Sequence, residues 1–270
     1  MRLPDRTLIR LEGPDTLALL ERTVTNRVKD WADGEMRYGA LLTPQGKVIA
    51  DYLALRTGTG VLLDTHADSA EDLMKRLKLF RLRAEVDISV TELLVAVIQS
   101  DGHGDPRSAK LPARAYVPAA DAGDRLSGAE WRAMRIAAGV PEWGDDYRAA
   151  EVFPTDINMD VMNGIDYKKG CFVGQEVASR MKRRGKIRKR TLPVRGPGVA
   201  AEADILAAAP IGTVTSAEGE AGLALVRTDR LQKALAEGAA LTCNGEPVTF
   251  DLPDWAAAEI EALASETSDE

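Results

Sequence analysis

The last third of the chain is divided into short apolar runs, and this division strongly limits what the chain can fold into. The runs are separated by Gly, Pro and Asn residues, which favour turns. Each run is too short for an amphipathic helix but long enough for a strand. Five such strands at this spacing predict a small β-barrel. The runs are residues 191–194, 211–214, 223–226, 239–243 and 248–252.

The first hundred residues alternate between strand and helix patterns. Two strand-like runs, residues 36–43 and 47–56, are joined by Pro44-Gln-Gly46, which is typical of a hairpin. The pattern Ser69-Ala-Glu-Asp72 predicts a helix N-terminus, and residues 86–98 return to β-branched apolar runs. This mixture predicts an α+β fold with mostly antiparallel strands rather than a doubly wound sheet.

These patterns divide the chain into four predicted parts. Residues 1–100 form an N-terminal α+β domain, and residues 101–185 form a second α+β segment. Residues 186–253 form the barrel. Residues 254–270 form an acidic tail that starts as a helix near Trp255 and frays at its end.

Cysteine and histidine are scarce, which excludes several classes of site. The chain has two cysteines, Cys171 and Cys243, and two histidines, so a disulfide framework and a three-histidine metal centre are both excluded. We therefore predict no metal site and a reducing compartment. No signal peptide is visible and no apolar run approaches 18 residues, so we expect a cytoplasmic protein without membrane contact.

Cys171 lies in a sequence pattern that predicts an exposed, reactive thiol on a loop. Glycines 170 and 174 surround Cys171, and the residues from Gln175 onward continue as a helix pattern. A cysteine beside lysines and just before a helix N-terminus has a lowered thiol pKa. The alternative is a buried, inert thiol, which is the common state of free cysteine. The flanking lysines and glycines favour an exposed Cys171, whereas Cys243, in an apolar strand, fits the inert state.

Four segments resemble one known family. Lys169-Gly-Cys-Phe-Val-Gly-Gln-Glu176, followed by Arg180, resembles the signature of the YgfZ-type folate-binding proteins. Three further segments are similar to that family: Thr25-Asn-Arg-Val28, Leu41-Leu-Thr-Pro-Gln-Gly-Lys-Val-Ile-Ala-Asp51 and Phe153-Pro-Thr-Asp-Ile-Asn-Met-Asp160. The family is related to the glycine-cleavage T-protein, an aminomethyltransferase. The resemblance implies a T-protein-like architecture, with a tetrahydrofolate pocket at its centre and the N-terminal domain binding folate.

The resemblance also implies a function, which is folate-dependent support of iron–sulfur enzymes, including tRNA-modifying enzymes. A four-iron cluster normally needs four thiolates, and two distant cysteines cannot hold one alone. Cys171 is therefore the candidate functional thiol, either as one ligand in a transient complex with a client enzyme or as a redox thiol. The candidate contacts to a reduced folate are Asp51, Glu151, Lys169, Gly170, Gln175, Glu176 and Arg180.

An aminomethyltransferase is the first alternative. That reaction needs a carboxylate near the folate, and Asp51 on the second hairpin strand is the candidate catalytic group. Two residues depart from the T-protein pattern. Ala50 stands beside Asp51 where a second Asp is frequent, and Ala137 stands where a glutamate binds the pterin ring. Glu151 is a candidate replacement. Each of the two carboxylates also fits an ordinary surface charge.

A basic segment, residues 182–190, provides the second alternative. Seven of its nine residues are cationic, although the whole chain has a net charge of -7. The segment fits a basic rim that attracts the polyglutamate tail of folate, a solvated linker, or an RNA contact. No aromatic residue is interleaved for base stacking, so a tRNA contact is the least favoured of the three.

Overall fold

The computed structural model describes residues 1–58, 60–98, 102–183 and 187–267. The N-terminal part is a five-stranded antiparallel sheet with the order β2-β3-β4-β1-β5. Its strands are β1 (Arg6–Glu12), β2 (Met36–Leu42), β3 (Val48–Thr57), β4 (Gly60–His66) and β5 (Asp87–Val90). The predicted hairpin is β2 and β3, which pair in register from Met36↔Leu55 to Leu42↔Val48 with one shift near the turn.

Two helices, α1 (Thr16–Thr23) and α2 (Ala67–Arg81), cover one face of this sheet. Leu19 on α1 and Leu73 and Leu77 on α2 pack with the side chains of that face. The opposite face packs against the middle of the chain. The first eight residues of β3 are therefore buried on both faces, and their side chains lack the alternation of a half-exposed strand.

The second helix begins earlier than its sequence pattern predicts. Ser69 was expected to cap it, but α2 starts at Ala67 with His66 as N-cap. The imidazole Nδ1 of His66 accepts a hydrogen bond from the amide of Asp68 at 3.2 Å. The Ser69 hydroxyl instead donates to the main-chain oxygen of His66 at 2.9 Å. Histidine can therefore cap a helix through the same acceptor geometry as serine.

The middle of the chain contains little regular structure. Strands β6 (Leu94–Ile98) and β7 (Ala113–Val117) form a two-stranded sheet, followed by α3 (Gly128–Ala138) and α4 (Gln175–Arg183). A capping box between Ser127 and Glu130 starts α3, and Gly139 ends it with φ of 70°. Most of the chain between α3 and α4 is turns that pack on the N-terminal sheet.

The C-terminal part is a barrel sheet of seven strands with the order β13-β12-β9-β10-β11-β8-β14. Each of the five predicted runs contains a strand, and the two additional strands are two and three residues long. The end strands β13 and β14 are separated in sequence by Val248 alone, so the chain itself joins the two edges. The strands are β8 (Lys189–Arg195), β9 (Asp204–Leu206), β10 (Pro210–Glu218), β11 (Ala221–Arg227), β12 (Thr242–Cys243), β13 (Glu246–Pro247) and β14 (Thr249–Phe250).

The predicted acidic tail forms a helix packed on the barrel. Helix α6 (Asp254–Thr267) contacts α5 (Thr228–Ala236), and Ala256 and Ile260 belong to the barrel core. Its Glu259 accepts hydrogen bonds from the buried guanidinium of Arg190. The helix starts where it was expected, near Trp255, and its apolar positions follow a helical period that places one side of it on the barrel. Among the described residues, we find no helix with the length and apolarity to cross a membrane.

Candidate functional site

Cys171 lies in an exposed loop that ends at α4, four residues before the first helical residue. The loop interlocks with the β2–β3 turn through two glycines. A Cβ atom on Gly174, whose φ is 80°, would lie 2.5 Å from the main-chain oxygen of Thr43. A Cβ on Gly46 would lie 2.9 Å from the Cβ of Val177. The glycines are therefore required for close packing of two backbones, whereas Gly170 faces open space.

Lys169 anchors the cysteine loop to the N-terminal domain. Its side chain is fully buried, and Nζ donates hydrogen bonds to the main-chain oxygens of Val24 at 2.8 Å and Asn26 at 2.6 Å. The carboxylate of Glu21 lies 3.9 Å from Nζ. Burial lowers the pKa of Lys169 to about 8, and the charge of Glu21 opposes this shift. These contacts make Lys169 a structural anchor of the loop rather than an exposed folate contact.

Thr25 and Asn26, near the N-terminus, hold the chain just before the cysteine loop through further hydrogen bonds. The Thr25 hydroxyl donates to the main-chain oxygen of Gly164 at 2.7 Å, and Thr25 O accepts from the amide of Asp166 at 3.0 Å. The Nδ2 of Asn26 donates to the main-chain oxygens of Tyr38 at 2.7 Å and Asn163 at 2.8 Å. The family resemblance pointed to this segment. The sequence pattern does not predict that the segment contacts a loop about 140 residues further along the chain.

Replacing Lys169 by Met is expected to loosen the loop, because Val24 O and Asn26 O lose their donor. The loss of hydrogen bonds from a charged group corresponds to about 1–3 kcal/mol, so amides of residues 163–174 should exchange about tenfold or more faster. The matched control is Lys168→Met, at an exposed neighbour. Unchanged exchange in Lys169→Met would contradict the anchor.

The same lysine gives a pH dependence. Its folded pKa of about 8 lies below the ordinary value of 10.5, so between these values the unfolded chain binds more protons. Stability from this group therefore rises with pH in that window. Wild type should gain stability relative to Lys169→Met between pH 8 and 10 in urea unfolding, and a difference that falls with pH would contradict the assignment.

The remaining loop candidates lie around the start of α4. Gln175 Nε2 donates to the main-chain oxygen of Lys169 at 3.3 Å, which closes the loop on itself. Glu176 and Arg180 are exposed on α4. Gln175 and Glu176 line a shallow groove of about 490 Å³ with Tyr167, whose ring lies 4.4 Å from Nζ of Lys182.

Asp51 is a buried group and not a surface carboxylate. It is 4% exposed, and burial raises its pKa while the guanidiniums of Arg107 and Arg6 oppose the shift. The hydroxyl of Tyr147 is buried beside Asp51, and burial, followed by the charge of Asp51, raises the pKa of Tyr147. Asp51 therefore lies in the protein interior beside a group of charged side chains.

These charged side chains form a buried ionic network that sequence reasoning missed. Asp64, whose side chain is inaccessible, accepts from Arg6 Nε and from Arg114 Nη1, each at 2.6 Å. Arg6 also binds Glu142 at 2.8 Å. Burial raises the pKa of Glu142, but Arg6 and the other nearby guanidiniums outweigh it and lower that pKa to about 2. The one sequence feature that pointed to this network is Asp64, a charged residue within the apolar run of β4.

Glu151 has a local role. It is exposed, and its Oε2 accepts a hydrogen bond from the amide of Arg148 at 2.8 Å. Among the described residues, neither Asp51 nor Glu151 lines the groove of about 450 Å³ that borders Cys171.

A large cavity, here called the junction cavity, lies between the end of α3 and the barrel. Its volume is about 650 Å³, within the range of small-molecule sites. Ala137 lines it, whereas Asp51 and Glu151 do not. Its polar and aromatic lining is Arg107, Ser108, Lys110, Asn158, Thr191, Arg195, Asp251 and Trp255.

The basic segment is only partly within the described residues, because residues 184–186 lie outside them. Of the rest, Arg190 is buried, where it pairs with Asp160 at 2.6 Å and Glu259 at 2.7 Å. Arg188 and Lys189 are exposed. None of the described residues in this segment lines the junction cavity, so the cations available to a ligand there come from other parts of the chain.

Known proteins share both domains of this architecture. Residues 7–111 match the family model of the GCVT N-terminal domain, and residues 188–258 match that of the CAF17 C-terminal beta-barrel domain. The glycine cleavage system aminomethyltransferase T of Bartonella henselae has the same fold, with a TM-score of 0.72 over 92% of this chain and 83% of that chain. Sequence identity to it is 16%.

Several curated relatives are iron–sulfur cluster assembly factors named IBA57. The Neurospora crassa homolog is 30% identical over 71% of this chain and 52% of its own length, and the Pyricularia oryzae homolog is 32% identical over 71% and 56%. The Homo sapiens protein is 29% identical over 94% of this chain and 84% of its own length. The chain thus spans about half the length of the fungal relatives.

These relatives correct one expectation. They are mitochondrial proteins by name, which overturns the cytoplasmic location expected from the sequence. The chain combines a GCVT-type N-terminal domain with a CAF17-type C-terminal barrel, and its homologues are IBA57 iron–sulfur cluster assembly factors.

Proposed function

We propose that this chain is an accessory factor in iron–sulfur cluster assembly or repair that acts through the thiol of Cys171. The observation that carries the proposal is an exposed cysteine on a loop fixed by the buried Lys169. The names of the relatives support the same role. A fixed, accessible thiol is suited to binding a metal or a partner's sulfur, because it needs no opening of the fold.

The two cysteines limit how the thiol acts. Cys243 is 1% exposed inside the barrel, so Cys171 is the accessible thiol. One thiolate completes a cluster only when a client enzyme or carrier supplies the other ligands. The clients are iron–sulfur enzymes, among them tRNA-modifying enzymes of the kind served by the YgfZ-type family. The test is complementation of a strain that lacks its own factor, with Cys171→Ser as the comparison.

The junction cavity is the proposed site of a reduced folate. Trp255 and Pro193 offer apolar surface to a flat ring, and the exposed Lys110 offers positive charge to glutamate carboxylates, beside the guanidiniums of Arg107 and Arg195, which pair with Asp105 and Asp251. The carboxylate in the lining, Asp251, pairs with Arg195. The donor set therefore fits an anionic heteroaromatic ligand. A bound folate would supply one-carbon or redox chemistry, while these side chains bind and orient it.

Folate binding is tested by titration calorimetry with tetrahydrofolate and its pentaglutamate. Replacing the exposed Lys110 by Ser should weaken the pentaglutamate more than the monoglutamate, because only the longer tail adds charges at the cavity mouth. Lys182→Ser, outside the cavity, is the matched control. The proposal fails if millimolar tetrahydrofolate gives neither heat nor a shift in melting temperature.

Aminomethyl transfer is the weaker candidate. Asp51 is held among buried cations, Glu151 caps a turn, and Ala137 supplies no carboxylate to the cavity. An assay with the aminomethyl-lipoyl carrier should therefore give no turnover comparable to that of a T-protein. A tRNA contact through residues 182–190 is not favoured either, since Arg190 is committed to internal ion pairs.

A further inference from the structure

The chain turns sharply where helix α2 ends. The amide of Ala84 donates a hydrogen bond to the main-chain oxygen of Arg81 at 2.9 Å, which closes a four-residue turn. Leu82, the second residue of this turn, has φ of 51° and ψ of -111°. These angles are typical of the second position of a type II′ turn, where glycine is preferred because a Cβ atom is strained at positive φ. A leucine therefore stands where a glycine would fit the backbone better.

The strained leucine is also highly exposed. Leu82 is 83% exposed, which is the largest exposed fraction of any large apolar side chain in the described part of the chain. Leu79, on the last turn of α2, follows with 70%. Neither side chain adds to the core, and the backbone at Leu82 costs stability as well. Strain that the fold does not need indicates a function for the side chain that causes it.

Positive charge surrounds these two leucines. Residues 73–84 contain five Lys or Arg residues and no Asp or Glu, although the whole chain has a net charge of -7. The first carboxylates beyond this stretch are Asp72, which pairs with Arg76 at 3.2 Å, and Glu85. Within the described ranges, the exposed cations of the stretch with no carboxylate closer than 4.0 Å are Lys75, Lys78 and Arg83. Residues 75–83, here called the basic turn, therefore combine exposed leucines with unpaired cations.

The shape of the basic turn indicates what covers it. Leu79 and Leu82 line neither the junction cavity nor the grooves beside Cys171 and the start of α4. They protrude from the surface, so an occupant must receive them. A protein partner needs a preformed pocket of matching shape to do this. A fluid bilayer receives protruding apolar side chains of any shape, while Lys and Arg side chains around them reach the headgroup phosphates.

We propose that the basic turn docks on an anionic lipid bilayer, with Leu79 and Leu82 inserted below the headgroups and the surrounding cations bound to lipid phosphates. A glycine at position 82 would suit the turn but would have no side chain to insert, which accounts for the strained leucine. This contact lies on the membrane surface and needs no spanning segment, so it revises the expectation of no membrane contact. It goes beyond the proposed function, because the basic turn contains neither Cys171 nor a lining residue of the junction cavity.

The test is sedimentation of the full chain with vesicles of phosphatidylcholine alone or of an equimolar mixture of phosphatidylcholine and phosphatidylglycerol. The chain should bind the anionic vesicles about tenfold or more tightly than the neutral ones at low salt, and the difference should shrink in about 0.5 M salt. Lys78→Glu with Arg83→Glu should remove the preference. The matched control is Arg230→Glu with Lys233→Glu, which changes two exposed cations of α5 and should keep it.

Leu82→Gly separates insertion from folding. Glycine relieves the strain at positive φ, so the midpoint of urea unfolding should stay or rise, while binding to the anionic vesicles should weaken several-fold. Leu79→Ser, at a residue with ordinary helical geometry, should weaken vesicle binding to a similar extent. Loss of affinity without loss of stability is the result that a purely structural leucine would not give.

Three results would overturn the docking surface. The first is equal binding, or none, to the two kinds of vesicle. The second is an equal loss of binding in the basic-turn variant and in the α5 control. The third is wild-type vesicle binding by both Leu82→Gly and Leu79→Ser, which would show that the leucines do not insert. If polyglutamate binds the basic turn while anionic vesicles do not, the surface belongs to an acidic protein and the membrane assignment is wrong.

Discussion

Cells that depend on this chain should lose most of their iron–sulfur enzyme activity when Cys171 is replaced by Ser. The Ser hydroxyl is nearly isosteric with the thiol, but it does not ionise near neutral pH and is a poor ligand for iron. Cys171 is exposed, so the fold loses almost no packing. The free energy of unfolding should change by no more than about 0.5 kcal/mol. Folate affinity should be unchanged, because Cys171 does not line the junction cavity.

The matched control for this experiment is Cys243→Ser. Burial raises the pKa of Cys243, and its side chain belongs to the barrel core, so this variant should lose stability and keep client support. Iodoacetamide should label Cys171 well before Cys243 at neutral pH. A Cys171 that labels no faster than Cys243, together with full client support by Cys171→Ser, would show that the thiol is structural.

The largest loss of stability is expected for Asp64→Asn. The substitution keeps the size of the side chain but leaves Arg6 and Arg114 facing a neutral amide in the protein interior. Removing one partner of a buried ion pair typically costs about 3–5 kcal/mol, because the remaining charge stays desolvated. Urea or thermal unfolding measures the loss.

Two comparisons sharpen the Asp64 experiment. Asp72→Asn removes an exposed pair with Arg76 and should cost less than about 1 kcal/mol. The double variant Asp64→Leu with Arg114→Met should lose less than the sum of its single variants, because no buried charge is left alone between those two positions. Equal losses for Asp64→Asn and Asp72→Asn would contradict the importance of the network.

The hairpin and the barrel were predictable from sequence because local patterns determine them. The Pro-Gln-Gly turn between two apolar runs predicts β2 and β3, and the five short runs predict five barrel strands. The start of a helix near Trp255 was predicted as well, but its packing on the barrel was not predictable, because its partner Arg190 lies far away in sequence. A helix of modest amphipathicity depends on tertiary contacts that no local window contains.

The site was predictable only in part for the same reason. The cysteine loop was located by its glycines and lysines, and the structure places Cys171 at the surface. The inward direction of Lys169 was not predictable, since its acceptors are main-chain oxygens of Val24 and Asn26, which no side-chain pattern encodes. Likewise, alternation around Asp51 assumes one solvent-facing side, but both faces of β3 are buried.

The long separation between the cysteine loop and its anchor imposes an order on biosynthesis. The acceptor oxygens of Val24 and Asn26 and the β2–β3 turn emerge from the ribosome roughly 6–30 seconds before residues 163–177, at typical elongation rates. The receiving surface is thus made first and stays uncovered while the middle of the chain is synthesised. When the reactive thiol leaves the exit tunnel, the surface that restrains it already exists, which shortens the time during which a nascent cysteine is free to oxidise.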